Sequence, residues 1–238
     1  MQITSTSVLP ARREDISFST SDGLTLVGEL SLPESAQPVA TALFLHPLPT
    51  AGGFMDSHII RKAAWRLPAL ADLAVVRFNF RGVSSPRGKS EGVFGEGIAE
   101  ALDLEAALNF VTQRGLPRPW LIGWSFGTEV ILKHAREHVG EIHGVMLLSP
   151  PLHRTTDVEL EAWAEVSIPV VALVPEFDDY LPPPAARQRF ALAPNIEIVA
   201  AEGAKHLWVG EKQTTLVLSE ITKRLNPSSI PLPEMWPV

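Results

Sequence analysis

A serine between two glycines, a pair of aspartates and a late histidine follow one another along this chain in an order that suits acyl transfer through a serine nucleophile. Gly123-Trp124-Ser125-Phe126-Gly127 matches G-x-S-x-G, with an apolar run (Trp120–Trp124) before it and a helical pattern (Ser125–His138) after it. A strand–turn–helix of this kind lifts a serine hydroxyl above a sheet at a helix N-terminus, where backbone N–H groups favour a developing anion. The turn is so tight that side chains two residues either side of the serine would collide with the crossing strand and helix; glycine at 123 and 127 removes the collision.

A serine hydroxyl is a poor nucleophile until a base takes its proton. In chains built around such an elbow the acid and then the histidine follow the serine, each on a loop leaving the carboxyl end of a strand. His134 and His138 fall in the helix after Ser125, His143 begins a strand, and His153 precedes the acid loop. His206 is the last histidine and follows a late strand, so it is the expected base. The acid should follow the strand Ile168–Val174, where Glu176, Asp178 and Asp179 are the candidates. Adjacent residues point in different directions, so only one of the two aspartates can orient the imidazole. Spacing alone leaves that choice open.

A tetrahedral oxyanion needs two backbone N–H donors. Phe126, after the serine, should be one. The loop His46-Pro47-Leu48-Pro49-Thr50-Ala51-Gly52-Gly53 should supply the other. Prolines have no N–H, which leaves Leu48 as the best donor and Thr50 as the second.

These residues require a particular scaffold. Glu14–Thr20 and Leu24–Leu32 flank Ser21-Asp22-Gly23 and predict a hairpin. Apolar runs at Val39–His46 and Leu73–Phe80 predict strands buried on both faces. Between them Ser57–Leu70 reads as a helix that Asp56 or Ser57 could cap. Ile98–Gln113 is amphipathic, and the alternation continues with a strand at Ile142–Ser149, a short helix at Val158–Glu165, a helix at Pro184–Leu192, a strand at Ile196–Ala200 and a helix at Lys212–Leu225. A hairpin followed by strand–helix units predicts an α/β fold, a mostly parallel central sheet with helices on both faces and its chemistry at the carboxyl ends of the strands. One domain is expected over residues 1–225, with an N-terminal extension at 1–13. The tail 226–238 holds four prolines and is expected to be frayed or docked through Trp236.

The 238 residues have 45% apolar and 20% charged composition, ordinary for a globular chain with a sizeable core. The net charge of −7 argues against nucleic acid or an anionic membrane as the main partner. There is no cysteine, which excludes disulfides, thiolate metal sites and a cysteine nucleophile. No apolar run approaches a membrane span, and the first fifteen residues lack the apolar core of a signal peptide, so a cytoplasmic setting is expected.

With these motifs in hand the chain resembles the α/β-hydrolase superfamily, in particular its small cap-less serine hydrolases similar to dienelactone-hydrolase-like and Xaa-Pro-peptidase-like enzymes. The resemblance runs from about Asp22 to Leu225 through HPLPTAGGFMDS, RFNFRG (77–82), GWSFG, EFDDYLPP and AKHLW. It implies hydrolysis of a small carboxylic ester, or less readily an amide or thioester, without a cofactor. It selects Asp178 as the acid, with His206 as base and Leu48 and Phe126 as oxyanion donors. Where relatives have Arg-Gly-x-Gly this chain has Arg81-Gly82-Val83-Ser84, then an extended Ser85–Phe94 loop. Pro150–Ser167 is too short for a cap, so an open site bounded by the Leu48–Phe54 loop, the Ser85–Phe94 loop and Trp208 is expected. Phe54, Tyr180 and Trp208 are the pocket candidates.

His134-Ala135-Arg136-Glu137-His138 matches an inverted zinc-peptidase motif, but no second glutamate motif follows it and no metal is expected. Nucleotide-binding glycine motifs are absent. A non-hydrolytic binding protein on the same fold, or acyl transfer or lyase chemistry at the same serine, are the alternatives.

Overall fold

The computed structural model describes residues 1–237. Strands β1 (Arg12–Ser19) and β2 (Thr25–Leu32) form the antiparallel hairpin. Then come β3 (Ala40–Leu45), α1 (His58–Ala71) and β4 (Leu73–Phe78), and a two-residue hairpin of β5 (Ser84–Ser85) and β6 (Gly88–Lys89) inside the extended loop. The chain continues through α2 (Glu100–Gln113), β7 (Pro119–Trp124), α3 (Phe126–His134), β8 (Gly144–Leu148), α4 (Asp157–Glu161), β9 (Val170–Phe177), α5 (Pro183–Arg189), β10 (Ile196–Lys205) and α6 (Glu211–Leu225).

Eight strands form one sheet in the order β1-β2-β4-β3-β7-β8-β9-β10, parallel from β4 to β10. The order decides where a site can form. From β3 the chain steps outward to β4, then jumps back across β3 to β7 and continues the other way. The loops leaving β3 and β7 therefore diverge from neighbouring strands, paired as Leu45 with Gly123, and open a crevice at that switch point.

The continuous apolar runs are strands buried on both faces. Leu43, Leu45, Leu121, Val145, Leu147 and Ala172 point into one core, with Leu104, Leu108, Val130 and Trp163. Ala42, Phe44, Trp120, Ile122, Met146 and Leu173 point into the other, with Ile59, Leu67, Val217 and Ile221. Thus α1 and α6 cover one face, and α2 to α5 the other. Several boundaries differ from expectation. β1 begins at Arg12, inside the expected extension, and β10 runs on to Lys205. The short helix ends at Glu161 and is capped by Thr156 and Glu159. Ser57 occupies the N-cap position of α1, but its Oγ accepts from the Phe54 amide and not from the helix, and Asp56 pairs with Arg77.

The proline-rich tail is docked. Ile3 N–H donates to Glu234 O and Trp236 N–H to Met1 O, so the two termini form a strap over α1 and α6. Val238, the last residue of the expected tail, lies outside the described residues. No described helix is long and apolar enough to cross a membrane.

Between α1 and α6 the buried cations Lys62 and Arg66 converge on Glu211. Neutralising that carboxylate leaves two desolvated charges, so Glu211→Gln is expected to cost about 1–2 kcal/mol, its partial exposure keeping the loss below that of a fully buried pair. Glu197→Gln, at the exposed pair with Arg224, should cost less than about 0.5 kcal/mol. Urea unfolding of the two variants checks the contrast; equal losses would contradict it.

Candidate active site

Ser125 stands between β7 and α3 with φ 52° and ψ −115°, a conformation that L residues rarely adopt. Its amide donates to Leu148 O at 2.9 Å, tying the turn to β8. A Cβ at Gly123 would lie 2.6 Å from the Gly127 backbone, and one at Gly127 only 2.2 Å from Leu45 O. Both glycines are thus demanded by close approach, and the clash at 127 comes from β3 itself.

His206 Nε2 is 2.9 Å from Ser125 Oγ, and His206 Nδ1 is 2.9 Å from Asp178 Oδ2. The second contact makes Nδ1 the donor toward the carboxylate and leaves Nε2 free to accept from the serine. Asp178 Oδ1 accepts from the amides of Tyr180 and Leu181, so every carboxylate oxygen is used. Burial alone would raise this carboxyl, but the bonds from His206, Tyr180 and Leu181 outweigh it and hold the pKa below the usual aspartate range. Asp179 is exposed, and Glu176 accepts from the Gly203 amide, joining the ends of β9 and β10. Of the three carboxylates, Asp178 is the one that reaches His206.

The histidine loop is held by its carbonyls. His206 O accepts from Trp124 Nε1 and Ser149 Oγ, and Leu207 O accepts from His58 Nε2. Trp208, at φ 53°, turns its indole into the core under α6 and is fully buried. The expectation that Trp208 walls the pocket is therefore corrected: it anchors the loop, and its exposed neighbour Leu207 faces the cavity.

The loop after β3 brings Leu48 beside the serine. Leu48 O accepts from the amides of Ala51 and Gly53, closing the loop on itself, while the Leu48 amide has no acceptor among the described residues. The Phe126 amide opens α3 and has no intrahelical partner. Three alternate residues at and just beyond the end of β4 brace the surrounding segments. Arg77 holds Glu29, Asp56 and Met55 O; Asn79 Oδ1 accepts from the Met55 amide at 3.0 Å; Arg81 binds Asp103 and Asp22. The intervening Phe78 and Phe80 enter the core, which explains the alternation in RFNFRG.

The cavity holding Ser125 and His206 has a volume of about 260 Å³ and is lined by Pro47, Leu48, Phe126, Tyr180 and Leu207 among others. Tyr180 lies edge-on to His206 at 4.6 Å. Phe54 does not line this cavity. With Phe94 and Ser84 it lines a neighbouring one of about 330 Å³ behind the Pro49–Gly53 segment, so the expected pocket edges at Phe54 and the Ser85–Phe94 loop are corrected. The sequence reading also missed Glu129, His153 and Arg154, which line the serine cavity from α3 and from the segment after β8. That segment is too short for a cap but long enough to turn back over the serine. Larger cavities elsewhere, such as one of about 340 Å³ under the terminal strap, contain none of these residues. The histidines of the zinc-like motif are engaged apart, His134 with Gly97 O and His138 with Glu141.

No family model matches the chain. An uncharacterised protein of Rickettsia prowazekii (strain Madrid E) is 30% identical over 130 residues, and the match spans about half the length of each, 54% of this chain and 52% of that one. Among solved structures, an α/β serine hydrolase homologue from Coxiella burnetii is 25% identical with a TM-score of 0.75, covering 89% of this chain and 97% of its own. A lid-less α/β serine hydrolase from Xanthomonas campestris is 27% identical with a TM-score of 0.72, covering 96% and 100%. An esterase from Pyrococcus furiosus shares the fold at 20% identity and a TM-score of 0.72, covering 90% and 93%.

His46 closes the site from behind. It is fully buried, Nδ1–H donates to Pro47 O at 2.7 Å, and Nε2 accepts from the Phe80 amide at 3.1 Å. Burial lowers its pKa from 6.5 to about 4. Between those values the unfolded chain binds the extra proton and the folded chain does not, so stability falls as pH drops from 6.5 toward 4. At about 1.36 kcal/mol per pKa unit, His46 should account for roughly 2 kcal/mol of stability lost between pH 7.5 and pH 5. Urea unfolding of wild type and His46→Asn at both pH values checks this: the variant should lose less on acidification, and identical losses would contradict it.

Proposed function

We propose that this chain, a relative of the α/β-hydrolase superfamily, is a serine hydrolase of small carboxylic esters, with Ser125 as nucleophile, His206 as general base and acid, and Asp178 as the group that orients His206. The observation that carries this reading is the continuous line Ser125 Oγ–His206 Nε2 and His206 Nδ1–Asp178 Oδ2, each 2.9 Å, at the switch point of the sheet.

On this reading His206 Nε2 takes the Ser125 proton as Oγ attacks the ester carbonyl. The charge gathering on the carbonyl oxygen is met by the Leu48 and Phe126 amides. Asp178, acceptor-only and held ionised, stabilises the imidazolium without taking its proton. His206 then protonates the departing alcohol, leaving an acyl group on Ser125. Water, deprotonated by the same imidazole, releases the acid and restores the serine. The strain at Ser125 supports the reading, because strained backbone persists where its surroundings over-determine it, most often at functional sites.

Ser125→Ala and His206→Ala should each lower kcat on a p-nitrophenyl ester by about 10³-fold or more, and the double variant should be hardly worse than either. Asp178→Asn should cost about 10²-fold or more through the wrong imidazole tautomer, and Asp179→Asn much less. Wild-type activity that survives Ser125→Ala would overturn the reading.

The cavity is small, and each buried CH₂ contributes about 0.8 kcal/mol only while walls remain to cover it. Values of kcat/KM across an acyl series should therefore peak at short chains, about C2 to C6, and decline beyond. A steady rise through C12 to C16 esters would contradict this.

A further inference from the structure

The serine cavity is lined by an arginine that hydrolysis of a plain ester does not use. Arg154 reaches it from the segment between β8 and α4, in a chain whose net charge is −7. Its position is built. The Arg154 amide donates to Glu129 Oε1, and its guanidinium stands 3.7 Å from Glu129 Oε2. Glu129 lies one helical turn beyond Ser125 on α3, with a side chain only 1% exposed. The guanidinium also lies 5.7 Å from the ring centroid of Phe126, the residue directly after the nucleophile.

The pair is asymmetric. The Arg154 side chain is 35% exposed, whereas Glu129 Oε2 is buried and makes no hydrogen bond among the described residues. A molecule entering the cavity therefore meets the guanidinium first, with the less exposed carboxylate behind it. At 3.7 Å the ion pair is too long to be a hydrogen bond, so the guanidinium makes no hydrogen bond to any described residue and its donors remain free. Much of the remaining wall is apolar: Pro47, Leu48, Ala51, Pro151 and Leu207. A planar fork of free donors in a mostly apolar cavity matches a carboxylate bidentately. Glu129 anchors the Arg154 backbone through its amide and places a negative charge behind the guanidinium, which keeps the arginine at the cavity wall.

We propose that Arg154 is a specificity residue of the Ser125 cavity, reading a carboxylate that a small ester substrate carries within a few atoms of its scissile bond. This rests on the serine-hydrolase reading above. Glu129 acts through Arg154 as a positioning residue. The anion can belong to the acyl part or to the alcohol part of the ester.

The test uses esters matched for leaving group and length: p-nitrophenyl butyrate against mono-p-nitrophenyl succinate for an acyl-side anion, and phenyl acetate against 3-acetoxybenzoate for an alcohol-side anion. Each rate is normalised to the ester's alkaline hydrolysis. Wild type should favour one anionic ester over its neutral match by about tenfold or more in kcat/KM, the scale of a charge-assisted hydrogen bond. Arg154→Gln should erase that ratio mainly through KM, and Arg154→Lys should retain part of it. Glu129→Gln should lower the ratio less than Arg154→Gln. Rising salt should shrink the wild-type ratio, which keeps the test decisive if a variant fails to fold. A ratio near one that is insensitive to salt, with the neutral esters still turned over, overturns the Arg154 assignment and leaves the serine-hydrolase reading standing. No turnover of any ester overturns both.

Discussion

At Gly127 the backbone of α3 passes the end of β3 so closely that a single methyl group would meet the Leu45 carbonyl oxygen at 2.2 Å. That contact sets the geometry of everything around it. It clamps the helix against the neighbouring strand, and Gly123 lets β7 approach the same helix from below. Between them the chain has no relaxed path, and Ser125 is left at φ 52°. A strained residue held from both sides does not drift, so the hydroxyl keeps a fixed distance to the loop after β3 and to the histidine loop. A close-packed interior transmits such constraints over several residues.

The loops bearing the other groups are fixed largely by polar contacts, with one apolar anchor at Trp208. The acid loop turns on Asp178 itself, whose Oδ1 takes two amides of its own loop while Oδ2 is left for His206. The histidine loop hangs from Trp124, Ser149 and His58 and is pinned into the core by Trp208. The loop after β3 is braced by His46 and by the Asn79 bond to Met55. The braces from outside these loops come from the ends of β4, β7 and β8 and from the start of α1, so the arrangement depends on the sheet order and not on any one loop.

Much of this is legible in the sequence itself. The elbow reads directly, because only a strand–turn–helix with glycine at both positions accommodates it. Strand and helix positions follow from apolar runs flanked by turn residues, with boundary errors of one to a few residues. The pocket walls were harder. Trp208 looked like a wall because it follows His206 by two residues, but a positive φ swings its indole into the core. Phe54 looked close to the serine because it shares the loop with Leu48, yet the tight turn at Pro49–Gly53 carries it into the next cavity. Arg154 and Glu129 were not found, since a loop arginine and a helix glutamate have many solvated precedents. The one available signal was that Glu129 lies one turn after the serine, on the side of α3 that must face the sheet end. The choice between Asp178 and Asp179 needed a direction in space that spacing does not carry.

The most direct test of the central claim, that Ser125 is the activated nucleophile, is covalent. Wild type and Ser125→Ala are incubated with a fluorophosphonate and read by intact mass and peptide mapping. One adduct per wild-type chain is expected, on the peptide containing Ser125, lost in Ser125→Ala and slowed strongly in His206→Ala. No adduct in wild type, or an adduct on another residue that persists in Ser125→Ala, would contradict it.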